Sequence, residues 1–134
     1  MTKKTCTTCK QEKEDTDFFN NDKKRKRAIC KKCDIKRRRE CYIKHRLLII
    51  EHYTKGKMTC SQCQESRIEC LDIDHINGGG TQERKLLKNT TGVYLKIIRD
   101  NFPTKYRILC RNCNWIEYLI RLGIKTKQPS KQCN

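Results

Sequence analysis

Four C-x-x-C pairs constrain this chain more than any other feature: Cys6/Cys9, Cys30/Cys33, Cys60/Cys63 and Cys110/Cys113. Eleven cysteines placed at random in 134 residues would give roughly one such pair, so four is a signal. A C-x-x-C turn aims two thiolates at one ion, and two turns complete a tetrahedral four-cysteine zinc site. Pairing of nearest neighbours gives two sites. Cys6, Cys9, Cys30 and Cys33 have 20 residues between their turns, the spacing of a zinc ribbon or finger. Cys60, Cys63, Cys110 and Cys113 have 46 between, room for a whole functional insert. Cys41, Cys70 and Cys133 remain as packing or surface thiols.

Composition explains why the chain needs such staples. Only 35% of its residues are hydrophobic, cysteine included, and so small a core is marginal without a cross-link. The opening residues, MTKKTCTTCK, lack the apolar region of a signal peptide. There is also no apolar run long enough to span a bilayer. A reducing, cytoplasmic setting with no membrane partner is therefore expected. There, metal ligation is a better reading of the cysteines than disulfides, and two structural zinc ions per chain follow.

The formal net charge is +17, from 32 Lys and Arg against 15 Asp and Glu. Such an excess implies a polyanionic partner, and nucleic acid is the usual one. Residues 1–57 hold 19 of the basic residues with 8 acidic ones, so the N-terminal half reads as the grip. Arg37, Arg38 and Arg39 extend the basic run KKRKR at 23–27 with Lys31, Lys32 and Lys36. That patch is expected to contact phosphate. Residues 34–57 read as one long amphipathic helix. Tyr42, Ile49 and Tyr53 share a face, Ile43, Leu47 and Ile50 lie beside it, and Gly56 stops it. Its apolar face would serve a homodimer. His45 and His52 read as helix-surface or interface residues. Phe18 and Phe19 read as the small core under the first zinc.

The chain thus divides into a four-cysteine zinc module (1–33), a basic linking helix (34–57), a second module (58–123) and a polar tail (124–134). The fold class is small α+β, stabilised by zinc. Within the second module LDIDHI alternates like a strand and NGGG is a turn. TGVYLKIIRDNF reads as a helix ending before Pro103, and TKYRILC as a second strand. NWIEYLIRLG reads as a helix ending at Gly123, with Trp115, Tyr118 and Leu119 packing it.

The acid–imidazole pair Asp74-His75, followed by three glycines, is the unusual element of this module. Neighbours on a regular strand point to opposite faces, so the strand must end or bulge for both to serve one centre. The second zinc would tie this strand to the start of the last helix, where Asn114 follows Cys113. An Asp carboxylate and an Asn carbonyl are hard oxygen donors suited to Mg²⁺. A neutral imidazole can take a proton from water. Together they suit hydrolysis of a phosphodiester, with His75 as general base. Lys105, Arg107 and Arg111 flank the centre and are expected to hold phosphate.

LDIDHINGGG followed by ILCRNCN resembles the HNH, or His-Me finger, nucleases. It is most similar to the phage-type junction-resolving subgroup, in which two C-x-x-C turns hold a zinc that braces a strand–strand–helix motif. The resemblance covers residues 58 to about 123 and implies a ββα-metal nuclease module. It implies that His75 is the general base and that Asp74 and Asn114 bind a catalytic Mg²⁺ or Mn²⁺. Residues 4–57 are similar to the front half of many small phage-type HNH proteins. Many members end the motif with a second His or a Lys beyond the Asn, and this helix offers neither. A DNA endonuclease is therefore expected, acting on duplex or branched DNA, with RNA as a second partner class. Two other classes compete with it. A non-catalytic zinc-ribbon accessory protein of transcription or replication would bind nucleic acid without needing Asp74 or His75. A thiol oxidoreductase would cycle one C-x-x-C, which four pairs at zinc spacing do not suit.

Overall fold

The computed structural model describes residues 2–21 and 24–124. Cys133, Lys23 and all but the first residue of the expected tail lie outside them. The described residues form two compact units, divided between Lys44 and His45. No helix among the described residues is long and apolar enough to cross a membrane.

The first unit is built from two short hairpins and the start of a helix. β1 (Lys3–Thr5) pairs antiparallel with β2 (Glu12–Glu14). β3 (Phe18–Asn20) pairs with β4 (Lys26–Cys30), with an irregularity between Phe18 and Asn20. Strand alternation separates the two phenylalanines. Phe18 is buried beside Cys6 and Cys30. Phe19 is half-buried on the other side, with Lys31 Nζ and the Arg38 guanidinium over its ring at 5.5 and 5.7 Å. The expectation of a shared phenylalanine core thus holds for Phe18 alone.

α1 runs Lys31–Tyr53, starting three residues before the expected 34 and stopping four before 57. It begins at once after β4, so Cys33 sits in its first turn. It ends in a two-bond helix stop. The Gly56 amide donates to Glu51 O at 2.9 Å and the Lys55 amide to His52 O at 3.2 Å. Lys55 and Gly56 both take left-handed backbone, φ 51° and 78°, the geometry of a Schellman motif. Of the expected apolar face, Ile49 and Ile50 are buried, Tyr42, Leu47 and Tyr53 half-buried, and Ile43 exposed.

In the second unit β5 (Leu71–His75) and β6 (Tyr106–Cys110) form an antiparallel ladder, in register from Leu71↔Cys110 to His75↔Tyr106. Leu71, Ile108, Leu109 and Ile50 pack in one buried cluster with Cys60, Cys63, Cys110 and Cys113. Truncating one of these aliphatic residues to alanine costs about 2–5 kcal/mol. Between the strands lie α2 (Gly80–Leu86) and α3 (Thr90–Arg99). α2 was not expected. It follows the glycine turn directly and carries no buried residue, so its sequence has no apolar stripe to reveal it. α3 is capped by Asn89, whose side chain accepts from the Gly92 amide at 2.8 Å. Gly92 is required at the α2–α3 joint, because a Cβ there would collide with the Leu87 carbonyl. α4 (Arg111–Arg121) follows β6 without a loop and ends at Gly123, φ 75°.

Candidate active site and cysteine clusters

Each unit gathers one set of four cysteines: Cys6, Cys9, Cys30 and Cys33 in the first, and Cys60, Cys63, Cys110 and Cys113 in the second. Within each set the sulfurs lie within 4.8 Å of one another. A tetrahedral zinc with Zn–S bonds of about 2.3 Å needs sulfurs about 3.8 Å apart, and Cys63 Sγ and Cys110 Sγ stand 3.6 Å apart. Both sets are consistent with structural Zn²⁺. Backbone amides already face the sulfurs. The Cys30 amide donates to Cys6 Sγ at 3.3 Å, and with the Cys9 and Thr8 amides it brings the Cys6 thiol down to about 6. Cys110 Sγ accepts from the Cys113 amide at 3.4 Å, so one cysteine also caps α4. Ser61 donates from its amide and its hydroxyl to Ile108 O, tying the Cys60 turn to β6. Of the remaining thiols, Cys41 is exposed and Cys70 half-buried.

The second ladder ends at His75, where the chain turns. The Gly78 amide donates to His75 O at 2.8 Å, and Gly78 and Gly79 have φ of 75° and 89°. Asp74, His75 and Asn114 consequently line one cavity of about 750 Å³. The strand ends at His75 without a bulge, with Asp74 paired to Arg107 and His75 to Tyr106 in regular register, so the two side chains leave opposite faces of the ladder.

His75 is held from two sides. Its Nε2 meets Glu83 Oε2 at 2.6 Å. Its ring packs edge-on to Tyr106 at 4.8 Å between centroids. Gly80 lies beneath it, and a Cβ there would sit 2.8 Å from His75 Nδ1. Glu83 is the hub of this group. It accepts from Lys105 Nζ at 2.8 Å and from the Tyr106 hydroxyl at 2.8 and 3.0 Å. Burial pushes the Glu83 carboxyl up, but hydrogen bonds from Lys105, His75 and Tyr106 outweigh it and hold it at about 2. Glu83 is thus an anion at any working pH, and it favours the tautomer with the proton on Nε2. Nδ1 then carries the lone pair.

Asp74 is 4% exposed. Arg107, its cross-strand partner, donates from Nε to Oδ2 at 2.8 Å, and Arg121 donates from Nη2 to both oxygens at 3.1 and 3.3 Å. Arg107 also bridges to Glu117 at 2.9 Å. The carboxylate and the Asn114 amide have the donor chemistry for a hard divalent cation. In this arrangement, however, guanidinium groups occupy the Asp74 oxygens. A cation could bind there only after Arg121 had withdrawn.

The expected phosphate contacts fare unevenly. Arg107 is committed to Asp74 and Glu117, and Lys105 to Glu83. Arg111 is 71% exposed, 3.4 Å from Asp72. Arg37 and Arg38 both reach the buried Asp34, at 2.9 and 2.7 Å, and Arg27 joins them. Arg39 is exposed. His52 is exposed on the helix, as expected, and its ring stacks on Phe102 at 3.9 Å. Trp115 and Tyr118 do not pack α4 inward. They are 60% and 45% exposed.

Reading the sequence missed Glu83, Tyr106 and Arg121. Arg121 lies beyond Asn114 on the same helix, where a second His or a Lys was sought. Compared with protein-family models, curated proteins and solved structures, the chain matches none.

Proposed function

We propose that this protein is a metal-dependent DNA endonuclease that hydrolyses phosphodiester bonds at the Asp74-His75-Asn114 cavity. One observation carries the reading. His75 Nε2 stands 2.6 Å from Glu83 Oε2, in a cavity shared with Asp74 and Asn114, and a proton on Nε2 would leave Nδ1 as an acceptor. A surface histidine needs no such fixing, whereas a general base does. His75 Nδ1 takes the proton of the attacking water, and the imidazolium formed is stabilised by Glu83. The glycines at 78–80 leave backbone space for a nucleic-acid strand to approach. Arg84 lines the cavity and, with Lys85 and Lys88, lines a second one of about 430 Å³ beside it. These three have no ion-pair partner among the described residues, so they are better phosphate contacts than Lys105 or Arg107. A Mg²⁺ or Mn²⁺ ion held by Asp74 and Asn114, when bound, would neutralise charge on the scissile phosphate. The likeness of LDIDHINGGG and ILCRNCN to HNH nucleases supports the same chemistry on DNA, and the charge favours a nucleic-acid partner.

The test is conversion of supercoiled plasmid with Mg²⁺, beside a His75→Ala control that retains its zinc. Nicked or linear product from the wild type alone is expected. Equal cleavage by the variant would remove His75 from the chemistry.

The arginine pair on Asp74 favours a second reading, a zinc-stapled nucleic-acid binder in which Asp74 is structural. Binding that survives loss of His75, with no cleavage of any DNA offered, would favour it.

A further inference from the structure

α4 turns aromatic rings outward at the His75 cavity. Trp115 is 60% exposed and Tyr118 45%. The two rings stack with centroids 5.3 Å apart and planes 30° from parallel. Both line the cavity that contains His75. The helix does have an inward side, since Cys113 on it is fully buried, and the rings are not on it. Two large rings left in water forgo the burial that aromatic side chains normally gain, and here both open onto the same cavity.

The surroundings say which ligand. The cavity also contains Arg84, which has no ion-pair partner among the described residues, and Arg111 and Arg121, which lie against Asp72 and Asp74 of the same cavity. An apolar partner helix or a second copy of α4 would gain nothing from three guanidinium groups at its edge. A nucleotide would use both features, its base stacking on an aromatic face and its phosphate meeting Arg84 and the exposed Arg111. Inside a duplex the faces of each base are covered by its neighbours, so only an unpaired base presents one.

We propose that Trp115 and Tyr118 form a stacking platform for one unpaired DNA base next to the phosphate attacked at His75. The site then favours a single strand or a duplex carrying an unpaired nucleotide over a fully paired duplex. This rests on the nuclease reading for the position of that phosphate.

Trp115 is the sole tryptophan of the chain, so its fluorescence reports on the platform directly. The zinc-loaded full chain, without added Mg²⁺, is titrated with three labelled DNAs: a single strand, the blunt duplex, and that duplex with one unpaired nucleotide. Anisotropy of the label gives binding in each case. The single strand and the bulged duplex are expected to quench Trp115 to saturation. The blunt duplex is expected to bind without quenching. Trp115→Ala is expected to weaken binding of the bulged duplex about tenfold or more and leave the blunt duplex within about twofold. Trp115→Phe should restore most of the loss. Equal quenching by the blunt duplex, or binding of the bulge with no quenching, overturns the platform. So does quenching by an RNA strand alone, or emission that changes with protein concentration in the absence of DNA, the sign of a second copy covering this face. None of these readings needs cleavage. Stacking without cutting removes the nuclease reading alone, and cutting without quenching removes the platform alone.

Discussion

His75 Nε2 and Glu83 Oε2 stand 2.6 Å apart, joining the end of β5 to α2. Glu83→Gln keeps the shape of this contact and removes its charge. Loss of such an orienting carboxylate typically costs 10- to 100-fold in activity. Single-turnover plasmid nicking by Glu83→Gln is expected to slow by about that factor, with DNA affinity unchanged. An unchanged rate would mean that Glu83 only packs.

Arg121 holds both oxygens of Asp74. If Asp74 binds the catalytic cation, Arg121 competes with it. Arg121→Gln is then expected to lower the Mg²⁺ concentration giving half-maximal nicking several-fold. Titration of the two proteins side by side checks this. A higher requirement in the variant would show that Arg121 assists the reaction instead of opposing the cation.

Gly80 leaves room for the His75 ring, and Glu83 prevents that ring from moving aside. Gly80→Ala is therefore expected to depress cleavage by tenfold or more while zinc content and thermal stability change little. Zinc measured by elemental analysis and melting followed by circular dichroism would separate this outcome from simple unfolding.

The two cysteine sets belong to different compact units. Purified protein is expected to carry about two zinc ions per chain. Cys60→Ser should unfold residues 45–124, because Cys60 lies in their apolar core. Cys6→Ser should leave that core folded. Amide-exchange protection of Ile108 and Leu109 distinguishes these outcomes.

Tyr53 donates its hydroxyl to Pro103 O at 2.6 Å. Burial, with the neighbouring Tyr106, pushes its phenol up to about 12. Unfolded tyrosine ionises near pH 10, so the stability linked to the neutral phenol is intact below pH 10. It is lost as pH rises from 10 through 12. Tyr53→Phe is expected to be less stable at pH 8 and to decline less between pH 10 and 12, as denaturant midpoints would show.

Spacing and periodicity made much of this legible before any coordinates. The four cysteine pairs announced both clusters, since a two-residue gap is a local property. β5 and β6 followed from the strand patterns and the end of α4 from Gly123, whereas α3 stops at Arg99, three residues short of the end that Pro103 suggested. What escaped depends on contacts distant in sequence. GTQERKL has no apolar stripe, so neither α2 nor the role of Glu83 on it was signalled. Arg121 was one cation among many, and only the Asp74↔Arg107 register and the course of α4 bring it to Asp74. Trp115 and Tyr118 suggested core because large rings usually are buried.

The β5–β6 ladder has a clasp at one end and an opening at the other. Leu71 and Cys110 close it at the cysteine cluster, and His75 and Tyr106 begin the long excursion through α2 and α3. Lengthening a surface connection costs little, growing only with the logarithm of its length. Insertions at the exposed turn around Lys88, between α2 and α3, would therefore reshape what lies beside the cavity while the clasp stays as it is. Such a chain can change what it recognises without relearning how to fold.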